Sequence, residues 1–438
     1  GGMLSERLPI CPAAPADETA VPMTHPIADH ADVVILGAGQ AGLQAALSLR
    51  EEGFAGTIQM IGDEPVLPYQ RPPLSKAFML GTMAEDALVL RPQAMLDKLD
   101  IRLVTGASAV RIDRAAHRLV LADGTSCGYG HLVIATGSRV RQWSGDGAGL
   151  DGVAYLRSLA DARALGARLE AAEDVAVIGA GFIGLEFAAV AAKRGKRVHV
   201  LEAADRPMAR AVTPAISAFF RERHEIAGVE MHVGVTLDRI EGEAGKVSGV
   251  RLAAGEVIPA QLVLIGIGGI ANAEIASEAG LAVDNGVVVD DLLLTADPAI
   301  SAIGDCANHP NPFAGGRVRL ESVQNAIDQG RVVAARLAGK PQPYRAVPWF
   351  WSDQGDLKLQ MAGLTAGFDD QVEIGSRDEA RFSLLAFRQG RLIGIESVNR
   401  PADNMLARRI LARAEPVTRA EADAAGFDLK VLAGGRAG

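Results

Sequence analysis

Two glycine-rich loops are the parts of this sequence whose residue types and spacing most clearly predict chemistry. The first, residues 37–42 (GAGQAG), follows an aliphatic run at 33–36 and precedes a helix-like stretch. In such a G-x-G-x-x-G loop, Gly37 permits a tight turn, Gly39 lets a pyrophosphate approach the backbone, and Gly42 lets the helix pack on its strand. The N–H groups at the start of the helix then favour phosphate binding.

An acid follows the first loop at the distance expected for binding a ribose. A second strand is predicted at 57–61, and Asp63 lies 21 residues after Gly42. A carboxylate at this position can accept hydrogen bonds from the hydroxyls of an adenosine ribose. Strand, loop, helix, strand and acid together predict a dinucleotide site, with an ordinary glycine-rich turn as the alternative.

The same arrangement recurs 142 residues further along the chain. Residues 179–184 (GAGFIG) follow a buried strand, and the next strand ends on Glu202, 18 residues after Gly184. A carboxylate there binds the free 2′-hydroxyl of NADH and repels the 2′-phosphate of NADPH. The second loop therefore predicts an NADH site, although the basic Arg206 nearby weakens the preference over NADPH.

Two complete dinucleotide sites in one chain favour a particular kind of enzyme. An enzyme that uses only NAD and an organic substrate needs one such site, whereas two sites suggest that one dinucleotide reduces the other, as in hydride transfer from NADH to a flavin. Asp305 follows a buried strand at 299–303 and precedes a helix predicted from about Glu321. Its carboxylate could bind polyol hydroxyls, with a helix cap or a turn residue as the alternative.

The composition describes the framework that positions these loops. A chain of 438 residues exceeds the ~250–300 at which single cores stop growing, so two or three domains are predicted. A net charge of −9 argues against nucleic acid and anionic membranes as partners, and no apolar run is long enough to span a membrane. Residues 1–31 are predicted to form a disordered arm. Because Cys11, Cys127 and Cys306 lie far apart, we expect no disulfide framework, no metal and a cytoplasmic protein.

The order of these segments resembles the FAD/NAD-linked reductases of the glutathione-reductase fold. Three stretches narrow the resemblance to the oxygenase-coupled, putidaredoxin reductase-like ferredoxin reductases: residues 68–76 (PYQRPPLSK), 319–326 (RLESVQNA) and 348–354 (PWFWSDQ). The resemblance covers residues 32 to about 410. It implies an α/β fold with two Rossmann-like dinucleotide-binding domains and a C-terminal α+β domain.

The resemblance also implies the domain limits. The FAD-binding domain would comprise residues 32–143 and 273–345, the NAD-binding domain 144–272, and a C-terminal interface domain 346–438. Relatives usually have G-I-G-x-x-P-N where this chain has GIGGIAN, so Ala271 lacks the fixed φ of proline. This difference could loosen the crossing between the domains, but it removes no chemical group.

Individual roles follow from the resemblance. The positions that contact FAD in such enzymes are Gly37, Gly39, Ala41, Gly42, Asp63, Lys76, Ala109, Arg157, Asp305, Val323 and Trp351. Asp305 would hold the ribityl chain, and Val323 would meet the flavin ring through its backbone at a helix start. Lys76 resembles a lysine near flavin N5 that pairs with a glutamate, here Glu186, with a solvated charge as the alternative. Trp351 or Trp349 could lie beside the flavin, with a core aromatic as the alternative.

A second set of positions matches the nicotinamide side of such enzymes. These are Gly179, Gly181, Ile183, Gly184, Glu202, Arg210, Gly268 and Glu321. Arg210 could meet the adenosine or the pyrophosphate, and a surface arginine is the alternative.

The missing cysteines indicate how the electrons leave. Relatives that reduce disulfides, peroxide or coenzyme A disulfide carry cysteine soon after the first loop, but residues 65–76 contain none, and Cys306 is predicted to be a core residue. The electrons must then leave from the flavin itself. The resemblance implies that NADH gives a hydride to FAD and that single electrons pass to a [2Fe–2S] ferredoxin serving a cytochrome P-450 or Rieske-type oxygenase. No general acid or nucleophile is required.

A cluster of arginines suggests where an acidic ferredoxin docks. Arg400, Arg408, Arg409 and Arg413 lie close together in an acidic chain, and Arg409 and Arg413 share a helix face if this stretch is helical. A solvated helix face is the alternative. Alternative functions are a rubredoxin reductase, an NADH oxidase and, more remotely, a redox-gated binding protein like apoptosis-inducing factor. We expect a monomer or weak homodimer.

Overall fold

The structure, a computed structural model, describes residues 25–434. Cys11 and most of the predicted disordered arm lie outside the described residues. Residues 25–31 are nevertheless ordered against the first sheet, because the backbone N–H of Ala28 donates to Gln59 Oε1 at 2.7 Å and Ala31 is buried. The prediction of disorder is therefore wrong for residues 25–31.

The first part of the chain builds most of a seven-stranded sheet. This part of the chain contains β1 (His30–Leu36), β2 (Ile58–Ile61), β3 (Ile101–Val104), β4 (Ala109–Asp113), β5 (Arg118–Leu121), β6 (Ser126–Ile134), β7 (Ser138–Val140), α1 (Gln40–Glu51) and α2 (Gln93–Lys98). The first six strands belong to the sheet, and β7 does not. The order is β3-β2-β1-β6-β5-β4, with β1, β2, β3 and β6 parallel. Aliphatic residues fill these central strands because both faces of the sheet are covered.

The second part of the chain forms another parallel sheet. This part of the chain contains β8 (Val153–Ala154), β9 (Asp174–Ile178), β10 (Arg197–Glu202), β11 (Val229–Val233), β12 (Leu237–Glu243), β13 (Lys246–Leu252), β14 (Val257–Pro259), β15 (Leu262–Ile265), β16 (Gly269–Ala271), α3 (Leu159–Ala171), α4 (Phe182–Lys193) and α5 (Pro214–Ile226). The parallel order is β11-β10-β9-β15-β8. The antiparallel β12-β13-β14 sheet shares a core with one face of it.

The chain then returns to the first sheet. This segment contains α6 (Glu274–Glu278), β17 (Val287–Val288), β18 (Ile300–Ala302), β19 (Ala307–Asn311), β20 (Gly316–Val318) and α7 (Val323–Leu337). β18 pairs with β6 as the seventh strand, and β7 and β16 pair as a two-stranded ribbon where the chain leaves and re-enters. Gly330 lets α7 approach α1, because a Cβ there would lie 3.0 Å from the backbone N of Ala45.

The C-terminal part is an antiparallel sheet with helices on one face. Its elements are β21 (Trp349–Gln354), β22 (Leu357–Gly363), β23 (Asp370–Ser376), β24 (Arg381–Arg388), β25 (Arg391–Val398), α8 (Pro401–Leu411), α9 (Arg419–Ala424) and α10 (Leu429–Gly434). One face packs on these helices, and the other packs on the second sheet's helices, with the rings of Phe382 and Phe219 4.9 Å apart. The predicted fold class is confirmed, and the domain limits remain predictions. No helix within residues 25–434 is long and apolar enough to cross a membrane.

Candidate functional site

The first glycine-rich loop has the shape that a dinucleotide pyrophosphate requires. Gly37 has a φ of +115°, and a Cβ there would lie 2.1 Å from the carbonyl oxygen of Ala135. A Cβ on Gly42 would lie 1.9 Å from the carbonyl oxygen of Gly37, whereas a Cβ on Gly39 would meet no atom within 4 Å. The outer glycines are therefore needed for packing, and the middle one faces the open space that a pyrophosphate would fill.

The second loop repeats this geometry. Gly179 has a φ of +99°, and Cβ atoms on Gly179 and Gly184 would lie 2.4 and 2.3 Å from the carbonyl oxygens of Gly266 and Gly179. Gly181 again faces open space, and Ile183 in the first turn of α4 is 44% exposed. No side chain caps α1 or α4, so their first N–H groups can receive phosphate oxygens. Both loops fit a dinucleotide.

The acids after the two loops are held differently. Glu202 lies at the end of β10 and accepts hydrogen bonds at 2.7 Å from the backbone N–H groups of Ala180 and Ala204, which fix it beside the second loop. Asp63 follows β2 and is exposed, with no hydrogen-bond partner among residues 25–434. Both lie where a ribose acid is expected, but only Glu202 is held in place by the protein itself.

Two residues predicted to contact FAD lie together at the end of β18. Arg157 Nη2 lies 2.9 Å from Asp305 Oδ2, and Ser138 Oγ donates to the same oxygen at 3.1 Å. Asp305 sits in a 3₁₀ turn, yet its carboxylate is directed to Arg157 and does not cap a helix. Val323 is the first residue of α7, as predicted. Cys306 is fully buried, which confirms the core assignment.

Lys76, which follows the turn Pro72–Ser75, and Glu186 in α4 form a buried ion pair. Lys76 Nζ lies 3.0 Å from Glu186 Oε1, and only 16% and 5% of the two side chains are exposed. The hydroxyls of Ser75 and Ser352 donate to Glu186 at 2.5 and 2.7 Å. Burial raises the pKa of Glu186, opposed by the positive charge of Lys76 and by the two serines. The prediction that Lys76 pairs with Glu186 is confirmed, and the alternative of a solvated lysine is wrong.

The sequence did not reveal how far this polar network extends. Gln354 Nε2 donates to Ser352 Oγ at 3.2 Å, and Gln354 Oε1 lies 2.8 Å from Nε2 of the buried His224 in α5. Ser75, Ser352 and Gln354 lie within two of the stretches that carried the resemblance, so their positions were marked but their roles were not assigned. His224 lies 130 residues from its partner and carries no sequence signal.

The residues predicted on the nicotinamide side also gather in one place. Gly268 has a φ of +107°, and a Cβ there would lie 3.9 Å from Arg210 Nη2. A Cβ on the next residue, Gly269, would lie 2.8 Å from Glu321 Oε1, and Glu321 forms an ion pair with Arg319. Arg210, Gly268 and Glu321 therefore line the region where the second sheet joins the ribbon.

Three other residues predicted to contact FAD lie in surroundings that do not by themselves indicate a cofactor site. Ala41 is buried in α1, and Ala109 begins β4 and packs half-buried on the first core. Trp351 is half-buried, with its ring 5.5 Å from that of Trp349. Side chains alternate along a strand, so Trp351 points away from the face of β21 that carries Ser352. Neither tryptophan is a fully buried core residue.

Three of the four arginines predicted to meet a ferredoxin contact other residues of the protein. Arg400 pairs with Asp403 at 2.6 Å, and Arg408 lies over the ring of Trp349, 4.6 Å from its centroid. The helix α8 ends at Leu411, so the prediction that Arg409 and Arg413 share a helix face is wrong. Arg413 instead lies 3.8 Å from Glu421. Arg409 is exposed and has no ion-pair or hydrogen-bond partner within residues 25–434.

Two glycine-rich loops of dinucleotide-binding geometry, in one chain with a buried Lys–Glu ion pair, are typical of a dinucleotide-dependent oxidoreductase. Residues 31–330 match the pyridine nucleotide-disulphide oxidoreductase family, and residues 349–433 match the C-terminal domain of reductases. The chain belongs to the pyridine nucleotide-disulphide oxidoreductase family. Membership implies FAD and a nicotinamide dinucleotide, NADH or NADPH.

Relatives of known activity are similar over nearly the whole chain. Rhodocoxin reductase of Rhodococcus erythropolis is 51% identical over 399 residues, covering 91% of this chain and 93% of that protein. The ferredoxin reductase for the CYP199A2 system from Rhodopseudomonas palustris is 50% identical, with a TM-score of 0.89 over 93% of this chain and 100% of that one. The putidaredoxin reductase–putidaredoxin complex matches at 38% identity and a TM-score of 0.88, over 92% and 98%. The predicted enzyme class, a flavin-dependent reductase of the ferredoxin reductase type, is confirmed.

Proposed function

We propose that this protein is an NADH-dependent reductase that passes single electrons to a [2Fe–2S] ferredoxin of a cytochrome P-450 or Rieske-type oxygenase system. The observation that carries the proposal is the buried Lys76–Glu186 ion pair, in which Glu186 lies on the helix that follows the second glycine-rich loop. The two cysteines within residues 25–434, Cys127 and Cys306, are buried and free. Burial raises the pKa of Cys127 to about 11 and also raises that of Cys306, so neither suits a thiol relay.

The residues of this chain bind and orient the two dinucleotides. FAD, when bound, can accept a hydride from the nicotinamide and release electrons one at a time. Lys76 is held by Glu186, and Glu186 is held by Ser75 and Ser352, so the ammonium group has a fixed position. This arrangement supports Lys76 and Glu186 as the flavin N5 environment, with no conventional acid or base.

The surroundings of Glu202 support NADH over NADPH. The carboxylate lies where it would meet a ribose 2′-hydroxyl and would repel a 2′-phosphate. Arg206, the residue that weakened this inference, donates to the carbonyl oxygens of Val212 and Ala209 at 3.0 and 2.8 Å. Its guanidinium is thus engaged in the local backbone and is less suited to holding a phosphate.

The exposed face of α8 supports a docking role for the C-terminal domain. Arg409 lies one helical turn after Met405, whose side chain is 57% exposed. Methionine and arginine are enriched at protein–protein interfaces. The solved complex of a relative with its redox partner, putidaredoxin, supports a ferredoxin as the acceptor. Rubredoxin is the second candidate, because two relatives at 42% identity are rubredoxin-NAD(+) reductases.

Charge reversal at Arg409 tests the docking proposal. Arg409→Glu should raise the KM for an acidic [2Fe–2S] ferredoxin about fivefold at low salt, because rim charges mainly alter association rates. The difference should shrink as salt is added. NADH-driven ferricyanide reduction should stay unchanged. The matched control is Arg91→Glu, at another exposed arginine, on the first sheet's side of the molecule. An unchanged KM in Arg409→Glu would contradict the docking surface.

A further inference from the structure

Three metal-ligating side chains meet on the outer edge of the second sheet. In the parallel register of β10 and β11, His199 lies opposite Glu230 and Leu201 lies opposite His232. Glu230 and His232 are two residues apart on a strand, so their side chains point to the same face. β11 is the edge strand, which leaves this group open to solvent on one side.

Two of the three separations between donor atoms are close to those in a coordination sphere. His199 Nδ1 lies 3.4 Å from His232 Nε2 and 3.5 Å from Glu230 Oε2. All three donor atoms lie within 4.8 Å of one another. Two ligand atoms that are each about 2.0–2.1 Å from a tetrahedral Zn²⁺ are separated by about 3.3–3.4 Å. The two measured separations therefore need to change by no more than about 0.2 Å to accept such an ion.

The chemistry of the three groups also suits a cation. Only 12% of the His199 side chain is exposed, and its Nδ1 faces both other groups, so an imidazole lone pair can be directed at an ion between them. Asp174 and Arg197 also face His199, but they are paired with each other. Glu230 is 70% exposed, which leaves room for a water molecule as a fourth ligand.

We propose that His199, Glu230 and His232 form a binding site for a divalent transition-metal ion of the zinc class. Two imidazoles and one carboxylate are a ligand set that Zn²⁺ accepts with water in the fourth position. The ion would tie the edge strand β11 to β10, next to the point where Glu202 pairs with Val233. The sequence predicted no metal because the ligands are split between two strands and no cysteine is involved. This inference is independent of the proposed function.

Calorimetric titration of the FAD-loaded full chain with Zn²⁺, after treatment with a chelator, tests the proposal. The expected result is one ion per chain, with saturation at micromolar zinc. His232→Ala should weaken binding by more than the roughly 10- to 100-fold that loss of a supporting residue costs. Glu230→Gln should weaken it about tenfold, since a neutral amide replaces a carboxylate. His30→Ala removes an exposed histidine elsewhere and should leave the Kd unchanged.

A melting experiment gives an independent measure. Excess Zn²⁺ should raise the melting temperature of the wild-type protein by about 5 °C, and should not raise that of His232→Ala. Saturation only at millimolar zinc would overturn the proposal. An unchanged Kd for Zn²⁺ in His232→Ala would also overturn the proposal. Normal flavin content in this variant would show that it is folded.

Discussion

The two glycine-rich loops are built alike but are covered differently. In both, the first and third glycines are required by packing and the second faces open space. The first loop is half-buried, and its helix α1 lies under α7. In the second loop Gly181 is exposed, and α4 presents Ile183 to solvent. The same motif is therefore less exposed in the first loop than in the second.

This difference matches the two roles that the loops are proposed to have. An enclosed site suits a cofactor that stays bound through many turnovers, whereas an accessible site suits a nucleotide that must enter and leave in each one. The acids that follow the two loops, Asp63 and Glu202, also differ. Two backbone N–H groups hold the Glu202 carboxylate in place before any nucleotide binds, so little side-chain entropy is lost on binding. Asp63 has no such hydrogen bonds within residues 25–434.

Blocking each loop separately should have the largest effect. Gly39→Val and Gly181→Val place side chains in open space, so both proteins should fold. Gly39→Val should lose most of its FAD, whereas Gly181→Val should keep FAD but lose most of its NADH-dependent activity, because each side chain occupies the path of one pyrophosphate. Flavin content and stopped-flow reduction by NADH measure these effects. Gly149→Val, in an exposed loop, is the control. Equal flavin loss in both loop variants would contradict the division of roles.

Breaking the Lys76–Glu186 ion pair should have the next largest effect. Lys76→Met leaves Glu186 buried without its counter-charge, which should cost about 3 kcal/mol or more. The melting temperature should fall by about 3–5 °C. The double variant with Glu186→Gln should recover most of this loss, because no unpaired charge remains. A double variant as unstable as Lys76→Met alone would show that the ion pair is not the cause.

The choice of nicotinamide should depend on Glu202. Glu202→Gln keeps an oxygen that can accept from Ala180 but removes the charge. Hydrogen bonds to charged groups contribute about 1.5–3 kcal/mol, so kcat/KM for NADH should fall about 10- to 100-fold. The kcat/KM for NADPH should rise, because the charge that repels its 2′-phosphate is removed. Steady-state assays with both nucleotides give the ratio, and the equivalent change Asp63→Asn should leave it unaltered. An unchanged ratio in Glu202→Gln would remove the basis for NADH preference.

Acid should lower the free energy of unfolding of the part predicted to bind FAD by a smaller amount. Burial lowers the pKa of His131 to about 3 and that of His309 to about 4. Below about pH 6.5 the unfolded chain binds protons that the folded chain does not, so stability falls as the pH falls. The loss should be about 1.4 kcal/mol per ring at pH 5.5. Urea unfolding followed by flavin fluorescence, from pH 7.5 to 5.5, measures it. His131→Gln should flatten the pH dependence, and an unchanged slope would contradict this assignment.

Local features were predictable from the sequence because they depend on short-range rules. The loops, their acids and the strands before them need only glycine spacing and aliphatic runs, and the structure places them as expected. Helix starts were predicted less accurately: α1 and α4 begin inside the glycine loops, at Gln40 and Phe182, directly after the middle glycine of each loop. Arg413 was misassigned because nothing in the local composition marks the end of α8 at Leu411.

Contacts between distant segments were beyond the reach of sequence patterns. The Lys76–Glu186 pair came from the resemblance, whereas its supports did not. Ser352 meets Glu186 across 166 residues, and His224 meets Gln354 across 130. A buried serine, glutamine or histidine has the same sequence appearance as a surface one, and only the packing of β21 against α4 and α5 brings these groups together.

We propose that electrons enter from NADH at the second, more exposed loop and leave the flavin singly for a [2Fe–2S] ferredoxin. The most direct test is the rate of NADH-driven cytochrome c reduction with and without added [2Fe–2S] ferredoxin, with rubredoxin and oxygen compared as acceptors. We expect slow cytochrome c reduction by the reductase without ferredoxin, and a large, saturable increase in its rate when the [2Fe–2S] ferredoxin is added. Equal rates with and without ferredoxin, or a saturable increase with rubredoxin only, would contradict it.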